Sequence, residues 1–537
     1  MSTSELQRTF PHTLAQEAVT AASYANSSSE DPVSREEGRH VCCDAEPILL
    51  GYSFGRRTAI YRARREGRTP VIIKEYFLDS SRHCEENDLT SNLQAENASP
   101  GQVRAVTTEA AVKDGFAIIV RNKSSSDTLF KRRIVSAVPG VCWEYAKSVN
   151  DLLKVAYDAL ETHRAAARHR RVLHLDISIC SILMYPPTYE FDKGSRCDFL
   201  PPLIEEVLAG GRLEDDKRRP CGLIIDFDHS VKLSVAEHST VQALEKLQFS
   251  NGTPMYMARA IIVSADIPSS IYSSYFKRMP TLSAKATDLY IKAHGQGRHS
   301  RYRDNPDGNT YHGGIPPLSN DPEDLFELAY KTPFYHRLQY DAESVFWRLY
   351  SVLLRVKPVG SVETARTALA LQQDWKDMRS HTIPEVDGHI GYRDVRVRLF
   401  DNGKDDFKTA FLPIMQDVAD MLFEMARQML SSYALMARPP PHEDHLHEAL
   451  QRLILDYLVT HESDPIPLTP GVLRTDRTAT AAGTIEKDDP DLSDGKHNTG
   501  TQSSTRKRNR DEIQGTQRQC ARKLGGMTLA RHRDDHR

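Results

Sequence analysis

The sequence predicts an α+β protein in two lobes, a β-rich first lobe and a mainly helical second, with a cleft between them. Three observations carry the expectation. Residues 47–77, PILLGYSFGRRTAIYRARREGRTPVIIKEYF, divide into three short strand-like runs separated by polar turns, with Arg65-Glu66-Gly67-Arg68 as a hairpin signal. Residues 151–166 set Leu152, Val155, Ala156, Leu160 and His163 at helical spacing, and more helical patterns follow. After that first helix, two apolar runs each end in a carboxylate: Asp176 after Val172-Leu173-His174-Leu175, and Asp226 after Leu223-Ile224-Ile225.

The elements follow in order. Residues 1–45 are Ser/Thr/Glu-rich with few aromatics and read as a disordered segment. The first lobe is expected over 46–140. Its three strands are followed by a polar helix at 79–103 that fades into the breaker cluster AENASPGQ, then by strands at 115–122 and 132–138. The second lobe, 141–467, holds the helix at 151–166, the two Asp-bearing strands, and insertions near 190–220 and 259–335. Helices at 342–356, 361–378, 411–437 and 442–460 close it. From 468 to 537 the composition turns to Thr, Ser, Asp and Lys, and reads as a disordered basic tail.

Composition narrows the class. With 39% hydrophobic residues and a mean hydropathy of −0.51, the 537 residues suit one sizeable core plus long polar segments. No run of 18 apolar residues offers a membrane span, and the first residues lack the basic-then-apolar pattern of a secretory signal. The eight cysteines lack metal-ligand spacing, which fits reduced thiols in an intracellular protein of the nucleus or cytoplasm. Residues 496–537 carry eleven Lys/Arg against four Asp/Glu, a balance of +7, so the remainder of this chain of net charge −3 sits near −10. Net charge excludes the body as a nucleic-acid surface and leaves only the tail.

An apolar run ended by Asp reads as a buried strand delivering a charge to its exposed end. Two such carboxylates, one near a transferable proton and one on Mg²⁺, are what phosphoryl transfer needs. Lys74 ends the run Val71-Ile72-Ile73. Alone, such a lysine is far more often a solvated surface residue, and its order before the Asp-bearing loops singles it out. Gly51 and Gly55 flank a turn whose N–H groups suit phosphate oxygens, although two glycines in a hairpin usually serve only the turn.

The segments HLDISICS, 174–181, and DFD, 226–228, resemble the catalytic loop H-R-D-x-x-x-x-N and the metal loop D-F-G of the protein-kinase superfamily. GTPMYMA, 252–258, resembles the end of an activation segment, and DAESVFW, 341–347, sits where a later helix begins. As an ordered set they resemble the fungal-type protein kinase family over roughly 47–465. The resemblance implies a protein-kinase-like fold, ATP and Mg²⁺ as cofactors, and a protein substrate. It assigns Asp176 to the acceptor hydroxyl, and Lys74 to the phosphates with a helix glutamate. Glu86 is preferred for that glutamate, with Glu85 and Glu109 as alternatives. Gly51 and Gly55 would cover the phosphates, and Asp226 and Ser181 would hold the metal. Thr253 would hydrogen-bond Asp176, and Asp341 would accept backbone N–H bonds from the catalytic loop, while His174 would pack and hydrogen-bond within it.

The sequence departs from the pattern at Leu175 for Arg, Ser178 for Lys, Ser181 for Asn and Asp228 for Gly. Arg259-Ala260 replaces Pro-Glu, so the ion pair that usually anchors the activation segment is expected to be absent. The expected function is an ATP- and Mg²⁺-dependent phosphotransferase, a protein Ser/Thr kinase. The alternatives are a catalytically weakened pseudokinase scaffold and a small-molecule kinase of the aminoglycoside/choline type, the latter opposed by GTPMYMA. In the tail, Arg506-Lys507-Arg508-Asn509-Arg510, with Arg518 and Arg522-Lys523, suits a nuclear-import receptor or nucleic-acid phosphates. A merely solvated tail is the other reading.

Overall fold

Runs of alternating side chains before residue 137 assemble into one antiparallel sheet. The computed structural model describes residues 44–50, 58–64, 70–79, 101–103, 105–113, 116–121, 128–136, 140–186, 201–214, 219–232, 253, 255–263, 278–303, 336–379, 403–429 and 442–474. Strands β1 (Asp44–Leu50), β2 (Ala59–Arg64), β3 (Val71–Asp79) and β4 (Ala105–Ala110) belong to this sheet. A small hairpin of β5 (Val112–Lys113) and β6 (Phe116–Ala117) precedes β7 (Ile119–Arg121) and β8 (Thr128–Ser136). The sheet order is β1-β2-β3-β8-β4, with β7 also on β8.

The three strands expected in 47–77 are therefore present. The strand expected at 115–122 is divided between β6 and β7, and the helix expected at 79–103 falls mostly on residues 80–100, outside the described residues. Strand β4, with its Thr-rich sequence AVTTEA, escaped the apolar pattern because it draws its place from pairing with β8.

Period-two alternation gives β3 two faces. Val71 and Ile73 pack with Ala63 and Val135, while Tyr76 and Leu78 pack with Ile134. Lys74 shares the face of Tyr76, its ammonium 5.0 Å from the ring centroid. Glu75 points the other way, is buried, and is neutralised by Lys131 and Arg133, each at 2.6 Å.

Beyond the sheet the chain is mainly helical. Helix α1 (Val149–Arg170) starts at a capping box: the Asp151 N–H donates to Ser148 Oγ, and the Ser148 N–H returns to Asp151 Oδ2. It ends at Arg171, a C-cap with φ 57°. Periodicity predicted one apolar face, yet α1 is buried almost all round, because it packs against strand and helices on several sides. The short strands β9 (Val172–Leu173), β10 (Ile182–Met184), β11 (Gly222–Ile224) and β12 (Val231–Lys232) pair as β9 with β12 and β10 with β11. These two ladders bring the Asp176 and Asp226 loops side by side.

Helix α2 (Ile204–Leu208) lies in the first insertion, and the second holds α3 (Arg259–Val263), α4 (Ala284–His294) and α5 (Gln296–Arg303). Helix α5, QGRHSRYR, is polar all round, so no periodicity could reveal it. It is held instead by Arg298, whose guanidinium reaches Glu161 at 2.9 Å and the buried Glu448 at 3.0 Å. Helices α6 (Leu338–Leu353), α7 (Ala365–Arg379), α8 (Lys404–Lys408), α9 (Gln416–Met429) and α10 (His445–Thr460) complete the core with α1.

Strand β14 (Leu468–Leu473) pairs with β13 (Val356–Pro358), and Arg474 is buried against the carbonyls of Leu354 and Ala410. This corrects the expected tail boundary at 468: the compact unit runs to Arg477. The second unit, Thr478–Arg537, and all but the last two residues of the expected segment 1–45 lie outside the described residues. Among the described residues no helix is long and apolar enough to cross a membrane.

Candidate active site

The site is built from two loops and one strand. The first loop leaves β9 through His174 and Leu175, and Leu175 adopts φ 65°, a conformation L side chains rarely take. The buried Asp341 of α6 holds it there, with His174 N–H at 3.0 Å and Leu175 N–H at 3.1 Å donating to its two carboxylate oxygens. Burial alone would raise the Asp341 pKa, but His336 and His163, at 3.2 and 2.9 Å, keep it well below the usual carboxylate range. The backbone-binding role implied for Asp341 is thus visible. His174 packs on Phe227 with ring centroids 5.0 Å apart, and its Nε2 donates to the Ile225 carbonyl at 2.9 Å.

Asp176 follows, mostly buried. Its Oδ1 accepts both the Thr253 N–H at 2.9 Å and the Thr253 hydroxyl at 3.1 Å, while His229 Nε2 lies 3.7 Å from Oδ2. Burial raises its pKa, assisted by the charge of Asp226 and opposed by His174 and the Thr253 bonds. A carboxylate in this state sits nearer the working range of a proton acceptor.

Asp226, at the end of the second loop, has φ 68° and opens the 3-10 turn Phe227–His229. The Ile225 N–H bonds the Ser181 carbonyl at 2.9 Å, joining the two loops. The sheet side is tied in by residues 101–103: Ile224 N–H donates to Gly101 O at 2.7 Å, and Val103 N–H to Ile224 O at 2.9 Å. Across this junction Lys74 Nζ meets Asp226 Oδ1 at 2.6 Å and Asp228 Oδ1 at 2.8 Å. One ammonium between two carboxylates is a strong charge-assisted arrangement.

Ser181 is fully buried, and its hydroxyl accepts the Ser178 N–H in a short bond and lies 3.2 Å from the Ser178 carbonyl. Its oxygen closes the turn of the Asp176 loop. Gly51, Gly55, Glu85 and Glu86 lie outside the described residues, and Glu109 stands in β4. Two relations in the site went unread in the sequence: the pairing of Asp228, expected only as an added carboxylate, with Lys74, and the approach of His229 to Asp176. Only spatial proximity reveals them.

The activation-segment anchor needs correction. The Arg259 N–H and Nε both donate to Glu343 Oε1, at 3.0 and 2.8 Å, in a buried pair. An ion pair is present after all, with the cation on the segment and the carboxylate on α6.

As oxygen donors for a hard cation, the chain offers Asp226 and Asp228. Among the described residues no group of three or more His, Cys, Asp or Glu gathers as a protein-only metal cage. One or two carboxylates completed by substrate phosphates is the usual way Mg²⁺ is bound, and this donor set fits it.

Residues 102–353 match the family model described as fungal protein kinase. The ordered motifs resemble that same family, and the matched stretch contains Asp176, Asp226, Thr253, Arg259, Asp341 and Glu343. No curated protein matches the chain. A sheet followed by helices is consistent with the kinase-like fold of such a family, and the match points to a kinase-like phosphotransferase.

Proposed function

We propose that the protein is a two-lobed, ATP- and Mg²⁺-dependent phosphotransferase acting on a protein hydroxyl, a protein Ser/Thr kinase. The observation that carries this reading is the meeting of Lys74 with Asp226 and Asp228, next to a separately held Asp176. In this reading the Lys74 ammonium exchanges carboxylate contacts for phosphate oxygens of the nucleotide. Asp226 would hold Mg²⁺ with Asp228 beside it, Ser181 joining only by giving up its Ser178 contacts, and the bound ion would neutralise charge on the phosphates. Asp176 orients the acceptor hydroxyl and takes its proton as the acceptor oxygen bonds the terminal phosphorus and the bond to the leaving diphosphate breaks. Gly51, Gly55 and Glu86 remain assigned to phosphates and Lys74 by resemblance.

A specific observation favours a second reading, the pseudokinase scaffold: the Ser181 hydroxyl is committed to the loop turn. Phosphotransfer from labelled ATP·Mg²⁺ to casein separates the two. Wild type should transfer and Asp176→Asn should lose at least about 100-fold in rate, while both bind nucleotide alike. Equal transfer by both proteins would remove Asp176 from the chemistry, and no transfer by either would leave the scaffold.

A further inference from the structure

We propose that Glu343 is a positioning residue for Asp176, acting through Arg259, so that α6 grips the catalytic aspartate from two sides. The inference rests on the reading of Asp176 as the group that meets the acceptor. Residues 341 and 343 are two apart on a helix and point in different directions, so each can reach a different segment. Asp341 takes the backbone of His174 and Leu175, immediately before Asp176. Glu343 takes Arg259, through both its N–H and its guanidinium.

From Arg259 the connection back to Asp176 is short. The Tyr256 and Met257 N–H groups donate to the Thr253 carbonyl at 2.8 and 3.1 Å, closing a turn that starts at Thr253 and delivers the chain to Arg259. Thr253 then donates twice to Asp176 Oδ1. The segment is pinned from below as well: Met257, Ala258 and Ile261 cluster with Tyr340 of α6. Arg259 also donates to the Met429 carbonyl at 2.7 Å, and the Trp347 indole donates to Glu343 Oε1 at 3.1 Å. Each partner of the pair is therefore fixed by a second contact, and the pair is 3% and 6% exposed. A buried pair of this kind is weak evidence for net stability, but removing one partner leaves the other's charge buried and uncompensated.

Hydrogen exchange and kinetics on the full chain test this, using Glu343→Gln, Arg259→Gln, the double variant, and Glu343→Asp as a milder change that keeps the charge. Each single neutral variant should speed exchange across 253–258 by about tenfold or more, with 172–175 still protected by Asp341. Each should also lower kcat by about tenfold with the KM for ATP unchanged. The double variant should fall short of the sum of the two, because no lone buried charge remains. Uniformly faster exchange over all helices, with KM and kcat changing together, would mean a merely structural pair and overturn the proposal. So would exchange and kcat equal to wild type. If wild type shows no phosphotransfer while the selective exchange pattern appears, the positioning role stands and the kinase reading falls.

Discussion

Asp176 gathers the electrostatics of the site: mostly buried, near Asp226, and supported on one oxygen by both donors of Thr253. Burial and Asp226 raise its pKa, and the Thr253 donors lower it because they bond the charged form. Thr253→Ala deletes the hydroxyl donor and keeps the N–H. The charged form is then less favoured, the Asp176 pKa rises further, and the acid limb of the kcat/KM profile should move to higher pH, with roughly tenfold lower kcat. A limb that stays fixed or moves down would show that another group sets it. Asp176 and Asp226 were legible in the sequence because each follows an apolar run whose burial leaves the charge at its end, and Lys74 was legible through its order before them, although it sits within β3 and not at its end. Asp228 was legible only as an added carboxylate without its partner, and His229 was not legible. Their significance lies in what they face, Lys74 and Asp176, from 154 and 53 residues away in sequence.

At the scale of elements, the short ladders and two helices set the loops. Gly222 opens β11, and a Cβ added there would lie 2.8 Å from the Val155 carbonyl of α1, a backbone atom with little room to give. Gly222→Ala should cost about 1–3 kcal/mol in denaturant unfolding, by overpacking. Since β11 leads directly to Asp226, nucleotide affinity should fall with it. Unchanged stability would mean that strand and helix separate freely. The strongly patterned elements, α1, α6, α9 and α10, were all foreseen; at α1 a capping box and a left-handed C-cap set the ends a few residues beyond the periodic stretch, and residues 430–437 of the helix expected at 411–437 lie outside the described residues. Helix α5 was hidden because ion pairs to Glu161 and Glu448, rather than an apolar face, hold it. The Arg259–Glu343 anchor was hidden for a related reason: the usual acidic position is Ala260, the cation stands one residue earlier where proline is expected, and its partner is 84 residues away.

At the scale of the molecule, the compact unit ends at Arg477, and the basic cluster at 506–510 lies beyond it. Removing residues 478–537 should leave the melting temperature within about 2 °C of the full chain, since the hydrophobic core of the described residues is assembled from side chains no later than Leu473. If the cluster engages an import receptor, as its composition suggests, the same truncation should abolish nuclear accumulation. A large drop in melting temperature would show the segment packing on the body, and undiminished accumulation would remove the import role.

If Lys74, Asp226 and Asp228 hold nucleotide phosphate and Mg²⁺ as proposed, the melting temperature of wild type and Asp226→Asn, with and without ATP·Mg²⁺, will report it. Ligand at about a hundredfold its Kd stabilises the native state by about 2.7 kcal/mol. The wild-type melting temperature should rise clearly at millimolar nucleotide, dependent on Mg²⁺, and the rise should be largely lost in Asp226→Asn. No rise in the wild-type protein, or an equal rise in both, would contradict it.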